Sequence, residues 1–327
     1  MLRPVCGNLP TGVSGLMPTA IEKRISHSRR RKGVLVPLIE DFMLHGKPDV
    51  ESQEDIDHLN FILEREVQRE HDRKTKPGTF SPSALASCLR LVYLQRHYRQ
   101  FGIRRLKEPR LEPMYYWLTG DFIHLKWQFV FWKMDKFYSD DVFKWVDVEV
   151  SVESKRGDHR GTIDNIGEIY RIPYIIDWKG VNVRTFGDTV NGNAPLSYRV
   201  QLADYIMLYN AERTRKGPRI ERGLLLTENK GGPTKRQPIA LHETEVMLKD
   251  YLPEVRSRLE VLRQHEEEGE IPSPECVSVN TFQFQSCPFR KFCRQEVTQI
   301  AREKAGDKEN SRFRVATPHR SRKGRRR

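Results

Sequence analysis

Asp164, Asp177 and Lys179 are the residues whose types and spacing could do chemistry. They fall in one stretch, Gly161 to Lys179, where two short β-prone runs flank a glycine-containing turn. Two carboxylates on neighbouring strands can hold a hard divalent cation, which takes oxygen ligands. A lysine two residues from one of them can sit beside a water bound to that cation. The same pattern also fits a surface hairpin with solvated charges, because motifs this short recur by accident.

The cysteines form a second set: Cys6, Cys88, Cys276, Cys287 and Cys293. An odd number, in a chain whose first 32 residues lack a continuous apolar run and end in Arg29–Lys32, argues against a disulfide framework. Cys276, Cys287 and Cys293 crowd into 18 residues, which calls for a metal or cluster explanation.

The surrounding periodicities give elements that can position these groups. Helix-like spacing covers Val34–Gly46 and Ser52–Lys74, the second with Ile56, Leu59, Ile62 and Leu63 on one face. Ser81 or Ser83 caps a helix over Ala84–Tyr98 that carries Cys88. Met114–Phe137 reads as a long aromatic helix with Gly120 and His124 on one face, the glycine marking a close approach of another backbone. Lys144–Val152 alternates, with Val146, Val148, Val150 and Val152 on the core side. Glu149 then reads as a solvated strand residue, its alternative being a third acid near Asp164. Arg184–Pro195 reads as a loop, Leu196–Ala211 as a helix, Ile220–Thr227 and Arg236–Leu241 as strands, and His242–Gly269 as a helix. Arg294–Lys304 is a short helix after an irregular, cysteine-bearing segment.

The formal charge is +13, and the Arg29–Lys32 cluster with the eight basic residues from Arg312 to Arg327 carries all but one unit of it. Basic tails of this kind favour a polyanionic partner, bound in a salt-sensitive and sequence-independent way. No run of about 18 apolar residues occurs, so a soluble, cytoplasmic protein is the expectation.

In chain order the sequence offers Gly120 and His124, the valine strand, Gly161 three residues before Asp164, Asp177-Trp178-Lys179, and Gln201 with Tyr205. In that order and separation it resembles the RecB-type branch of the PD-(D/E)xK nucleases. Within that branch it is most similar to CRISPR-associated Cas-four-type and phage-encoded exonucleases. The resemblance spans roughly residues 80–295. It implies an α/β fold with a restriction-endonuclease-like core. A central mixed sheet from 145–182 and 220–241 would lie between helices at 114–137 and 196–211. A C-terminal Cys-rich strap at 270–300 would join the upstream helix at 81–100. Residues 1–32 would be a disordered leader, 33–80 a helical extension, 81–300 the nuclease domain and 306–327 a basic disordered tail.

The resemblance also implies roles. Asp164, Asp177, His124 and the Trp178 main-chain carbonyl would hold Mg²⁺ or Mn²⁺. Lys179 would orient the attacking water, and Gln201 and Tyr205 would support the acids or touch DNA. Many members hold a [4Fe–4S] cluster through one upstream and three C-terminal cysteines, matched here by Cys88, Cys287 and Cys293. The family usually has a further cysteine where this chain has Phe284. Cys276 either completes the set by a different loop path or is a bystander. The implied activity is metal-dependent exonuclease cleavage of single-stranded or duplex DNA ends in recombination, repair or phage replication, inside a bacterial or phage-infected cell. A recombinase, helicase or annealing protein is the implied partner, since no ATP site is visible. Two rivals stay open: a nuclease-fold DNA-binding module without turnover, and a zinc-binding nucleic-acid regulator using the cysteines.

Overall fold

The strand-prone runs assemble into one five-stranded mixed sheet in sequential order. Its strands are β1 (Phe143–Glu153), β2 (Arg160–Ile169), β3 (Ile172–Val181), β4 (Arg222–Asn229) and β5 (Leu241–Met247). β3 and β4 pair parallel, and the other neighbours pair antiparallel. A parallel pair needs a long crossover. Here it carries α6 (Val183–Val190) and α7 (Leu196–Arg213). The computed structural model describes the backbone of residues 33–75, 79–106, 111–213, 219–233, 240–276 and 278–315; side chains of 66–67, 69–75, 111–121, 213, 282–283 and 303–315 lie outside that description, as does the approach expected at Gly120.

Helices cover both faces of the sheet. The first layer holds α1 (Val36–His45) and α5 (Leu111–Phe137), which pack on Tyr174, Ile176 and Trp178 of β3 and on Leu224 and Leu226 of β4. The second holds α3 (Pro82–Leu85), α4 (Leu89–His97), α7 and α8 (Leu248–Glu268), which pack on Ile175 and Leu225. Successive strand residues point to opposite faces. Asp177 and Lys179 therefore leave β3 on the side of Ile175, toward α7.

Several sequence expectations change. The β2–β3 turn is Tyr170-Arg171, with φ of 52° and 63°, and Gly167 lies inside β2. Two left-handed residues between Ile169 and Ile172 match the twist of the flanking strands. Residues 183–190 are helical, because the Asn182 side chain accepts the Thr185 N–H at 2.9 Å and caps α6. The return strand is 241–247, and the following helix starts at Leu248. Residues 236–239 of the expected strand lie outside the described residues. α9 (Phe282–Ser286) precedes α10 (Arg290–Val315), whose helical backbone runs into the expected disordered tail; 316–327, 1–32 and Cys6 lie outside the described residues.

The valine strand departs from simple alternation. The register shifts between Trp145 and Asp147, so Val146 is an extra, bulged residue and faces solvent. Glu149 has φ 51° and is buried. The ladder pairs Val148 with Asn165 and Val150 with Ile163, leaving Glu149 and Asp164 out.

α2 (Gln53–Thr75) presents Asp55, His58, Leu59 and Ile62 to α5 and β1, while Ile56 and Leu63 are exposed. The polar members decide this rotation. Asp55 accepts the N–H groups of Glu51 and Ser52 at 2.8 and 3.0 Å and pairs with Lys133 at 3.0 Å, and His58 stacks on Trp132 at 4.1 Å between centroids. The Glu51 amide, against the opposing pull of burial and with help from Lys133 and Ser52, holds the Asp55 carboxyl well below its ordinary value of 3.8. A depressed folded value gives stability that is complete above the ordinary value and lost as pH falls below it. Acidification from pH 6 to pH 2 is therefore expected to loosen α2. At each pH, amide exchange of a 53–65 peptide in wild type should be compared with that in Asp55→Asn. The difference between wild type and variant should narrow steadily below about pH 4, and a constant difference across the range contradicts the assignment.

Candidate metal centre and cysteine pocket

The β2–β3 ladder runs from Ile169–Ile172 to Asn165–Ile176 and stops. Asp164 and Asp177 are the first residues beyond its end. There the Trp178 N–H is donated to Asp164 Oδ2 at 3.1 Å instead of to a strand partner. A residue's N–H and C=O leave an extended strand on the same edge. The Trp178 carbonyl is thus directed at the same gap, while its indole stacks on Trp127 at 4.9 Å in the opposite core.

Side chains from five elements converge on this gap. His124 of α5 places Nδ1 3.3 Å from Asp164 Oδ1. Lys179 Nζ lies 2.7 Å from Asp177 Oδ2, and Gln201 Nε2 of α7 lies 3.4 Å from Asp177 Oδ1. Tyr205, one turn on, lines the same cleft and packs against Gly161, where an added Cβ would stand 2.6 Å from Tyr205 Cε1 and 2.8 Å from Pro82 Cδ. That contact explains the glycine three residues before Asp164.

Glu149 is where the structure corrects the sequence. Expected to be solvated, it is 6% exposed and turns into the cleft through its left-handed backbone. One ligand atom each from His124, Glu149 and Asp164 lies within 4.8 Å of the others. Gln128, fully buried and one turn beyond His124, donates to Glu149 Oε1 at 2.6 Å. A non-glycine residue in the left-handed region costs on the order of 1 kcal/mol or more, and such strain collects at functional sites. No pattern in the sequence announces the bulge. His124 and Gln128 are, however, spaced four apart on one helix face. Tyr198 was also missed, although Tyr198, Gln201 and Tyr205 share a face of α7; its ring lies 5.7 Å from Lys179 Nζ.

The electrostatics are those of a crowded, dry site. Burial works against ionisation of Asp164, but His124, then Lys179 and the Trp178 amide, hold its carboxyl below the ordinary range. Burial raises Asp177 above that range, opposed by Lys179 and reinforced by the Asp164 charge. Burial disfavours the His124 imidazolium, yet Asp164 and Asp177 outweigh it and raise the group. Burial likewise opposes the Lys179 charge, and the two aspartates overcome it. Two carboxylates that share cations and protons in this way suit a divalent cation, and the imidazole and carboxylate donors fit Mn²⁺ or Mg²⁺ with waters completing the shell.

The cleft above these groups measures about 790 Å³. One wall carries Arg65 and Gln68 of α2, and the other Ser81, Ser83 and Gln95 of the α3–α4 segment. Arg160 and Ser151 lie on β2 and β1, 3.3 Å apart.

The second cluster sits beside α4. The expected continuous helix is broken: Ser81 caps α3 by accepting the Ala84 N–H at 3.2 Å, and Cys88 is the N-cap of α4. Cys88, Cys276, Cys287 and Cys293 line one small apolar pocket with Leu91, Leu94, Phe284 and Phe289. Phe284, where the resemblance leads one to expect a cysteine, is buried in the wall against Cys276 and Cys293. The donor chemistry fits a thiolate-bound group. Four thiol donors around one pocket serve a zinc ion or an iron–sulfur cluster.

Because His124 and Asp177 both hold protons more firmly than usual, a cation arriving between them must displace protons. Mn²⁺ affinity is expected to rise with pH, with proton release measurable by calorimetry in buffers of different ionisation enthalpy. Asp177→Asn should release fewer protons, and Glu149→Gln should weaken Mn²⁺ binding at least about tenfold. Unchanged affinity in Glu149→Gln would remove it from the ligand set.

No family model matches the chain, and no curated protein matches it. A solved structure titled "Crystal structure of SSO0001" aligns with a TM-score of 0.40 at 17% sequence identity, over 72% of this chain and 94% of the other.

Proposed function

We propose that this chain is a divalent-metal-dependent deoxyribonuclease of the RecB-like PD-(D/E)xK type, acting on DNA ends. The observation that carries this reading is the convergence of His124, Glu149 and Asp164 within 4.8 Å beside the Asp177–Lys179 pair, on the floor of an open cleft. Bound Mg²⁺ or Mn²⁺ would polarise a phosphodiester and lower the pKa of a coordinated water. Asp164, Asp177, Glu149, His124 and the Trp178 carbonyl are the groups that would hold it.

The chain's own residues supply the rest. Lys179 is an ammonium held by Asp177, so it acts as a donor toward the attacking water or the phosphate oxygens, not as a proton acceptor. Gln201 keeps Asp177 aimed into the gap, and Tyr198 and Tyr205 close the α7 side against water. A DNA strand would cross between the α2 wall and the α3–α4 wall, with Arg65 and Arg160 meeting its phosphates. Phosphate contacts of this kind set register and salt dependence and carry no base specificity. Cleavage at DNA ends would suit roles in recombination, repair or phage replication beside a helicase, recombinase or annealing partner.

On the same reading Cys88, Cys276, Cys287 and Cys293 hold a [4Fe–4S] cluster, which would tie the α3–α4 wall to the C-terminal segment. Arg258 reinforces that tie, reaching Leu85 O at 2.7 Å, Ser87 O, and Glu275 Oε2 at 2.8 Å. Among the described residues no helix is long and apolar enough to cross a membrane.

DNA labelled separately at each end, incubated with Mn²⁺, tests the reading. Wild type should shorten the strand and reveal its polarity, while Asp177→Ala and Lys179→Ala should fall to background. Arg65→Ala and Arg160→Ala should weaken binding for all sequences and each lower the salt slope by about one. Absence of cleavage in wild type under Mg²⁺ and Mn²⁺, with binding retained, would assign the fold to a DNA-binding module instead.

A further inference from the structure

Arg90 is an arginine buried where the reaction has no use for it. It follows Cys88 by two residues in the first turn of α4 and is 5% exposed. Its Nη1 and Nη2 form a fork on Glu296, at 3.0 Å to Oε1 and 2.7 Å to Oε2. Nε donates to the Pro272 carbonyl, and Nη1 also lies 3.9 Å from Cys293 Sγ. The Phe292 ring lies 5.7 Å from the guanidinium carbon. Four of the five guanidinium N–H donors are thereby committed, so the group is held in one place.

An arginine whose purpose was only its ion pair with the half-exposed Glu296 would contribute little. The sulfur contact gives it another purpose. Four thiolates in a pocket walled by Leu91, Leu94, Phe284 and Phe289 would concentrate negative charge where Cys88, Cys276 and Cys293 are buried and Cys287 half-buried. Other charges stand nearby: Arg290 faces Cys287, and Glu275 faces Cys276. Arg90 faces Cys293 with both a positive charge and an N–H. Hydrogen bonds and charge at the ligand sulfurs are among the terms that set an iron–sulfur reduction potential.

We propose that Arg90 is a positioning residue for the cysteine pocket: through Cys293 Sγ it stabilises the more negative, one-electron-reduced state of the iron–sulfur group and so raises its reduction potential, with Glu296 moderating the effect. The inference rests on the cluster reading above. An electron added from an external reductant increases the charge on the sulfurs, and the guanidinium offsets that increase.

The two partners predict opposite signs, which separates tuning from scaffolding. Full-length wild type, Arg90→Gln, Arg90→Lys and Glu296→Gln are purified without oxygen, and iron and sulfide are counted first. Wild type lacking iron and sulfide overturns the cluster reading itself, and this inference with it. In iron-loaded protein, a dithionite titration followed by paramagnetic resonance should show Arg90→Gln falling by at least a tenfold change in the reduced-to-oxidised ratio at fixed potential, about 59 mV for one electron. Glu296→Gln frees the guanidinium charge and should move the potential upward. Arg90→Lys retains the charge and should stay nearer wild type than Arg90→Gln; where Arg90→Gln does not load its cluster, the upward shift in Glu296→Gln carries the test. Transfer to D₂O should shift an iron–cysteine stretch in oxidised wild type by more than in the loaded Arg90 variants, since the Phe289 N–H on Cys287 Sγ at 3.4 Å contributes to all of them, a readout that needs no reduction. Potentials that stay put or move in one direction in both Arg90 and Glu296 variants, or a wild-type stretch no more sensitive to D₂O than that of the loaded Arg90 variants, overturn the proposal with the cluster reading intact.

Discussion

Burying two carboxylates side by side is the constraint on which the rest of this structure depends. Asp164 and Asp177 stand just past the end of the β2–β3 ladder, out of bulk water. Like charges at low dielectric repel strongly and cannot both ionise without nearby compensation. The compensation comes from separate elements: a histidine from α5, a lysine from β3 itself and a backbone amide from Trp178. Each must be held in place, which is why α5 is pinned by stacked tryptophans and α7 packs so closely that Gly161 tolerates no side chain.

The same logic explains the strain in β1. An ordinary alternating strand would send Glu149 to solvent. The bulge at Val146 and the left-handed conformation at Glu149 re-aim it toward His124 and Asp164, and Gln128 catches it. A third acid adds to this repulsion unless it holds a proton or shares a cation. Its presence makes sense where a divalent charge is shared, so the local cost is itself support for the proposed metal centre.

The cysteine pocket repeats this arrangement with softer ligands. Thiols drawn from the N-cap of α4, the segment before α9 and the start of α10 converge with a buried arginine at their rim. In both places the chain gathers anionic ligands in a dry pocket and supplies a fixed cation beside them. The two pockets flank α3–α4, so the wall of the cleft is braced from the metal side by Gly161 and Pro82 and from the other side by the cysteines.

Local chemistry alone determined much of this: the α/β alternation, the strands around Asp164 and Asp177, the helices carrying His124 and Gln201, and the crowding of Cys276, Cys287 and Cys293. These depend on periodicity and on short-range spacing, which a linear chain displays. Glu149, Gln128 and Tyr198 escaped, because their roles arise from a bulge and from contacts between elements distant in sequence. The α2 face was misjudged for a related reason: Asp55 and His58 go inward since Lys133 and Trp132 await them, and hydrophobic spacing records no such partners. Phe284 and Cys276 show the same division. The sequence displays a phenylalanine at one position and a cysteine at another, and only the folded loop decides that Phe284 forms the wall while Cys276 lines the same pocket as the other three cysteines, since a loop's path follows from packing and not from residue spacing.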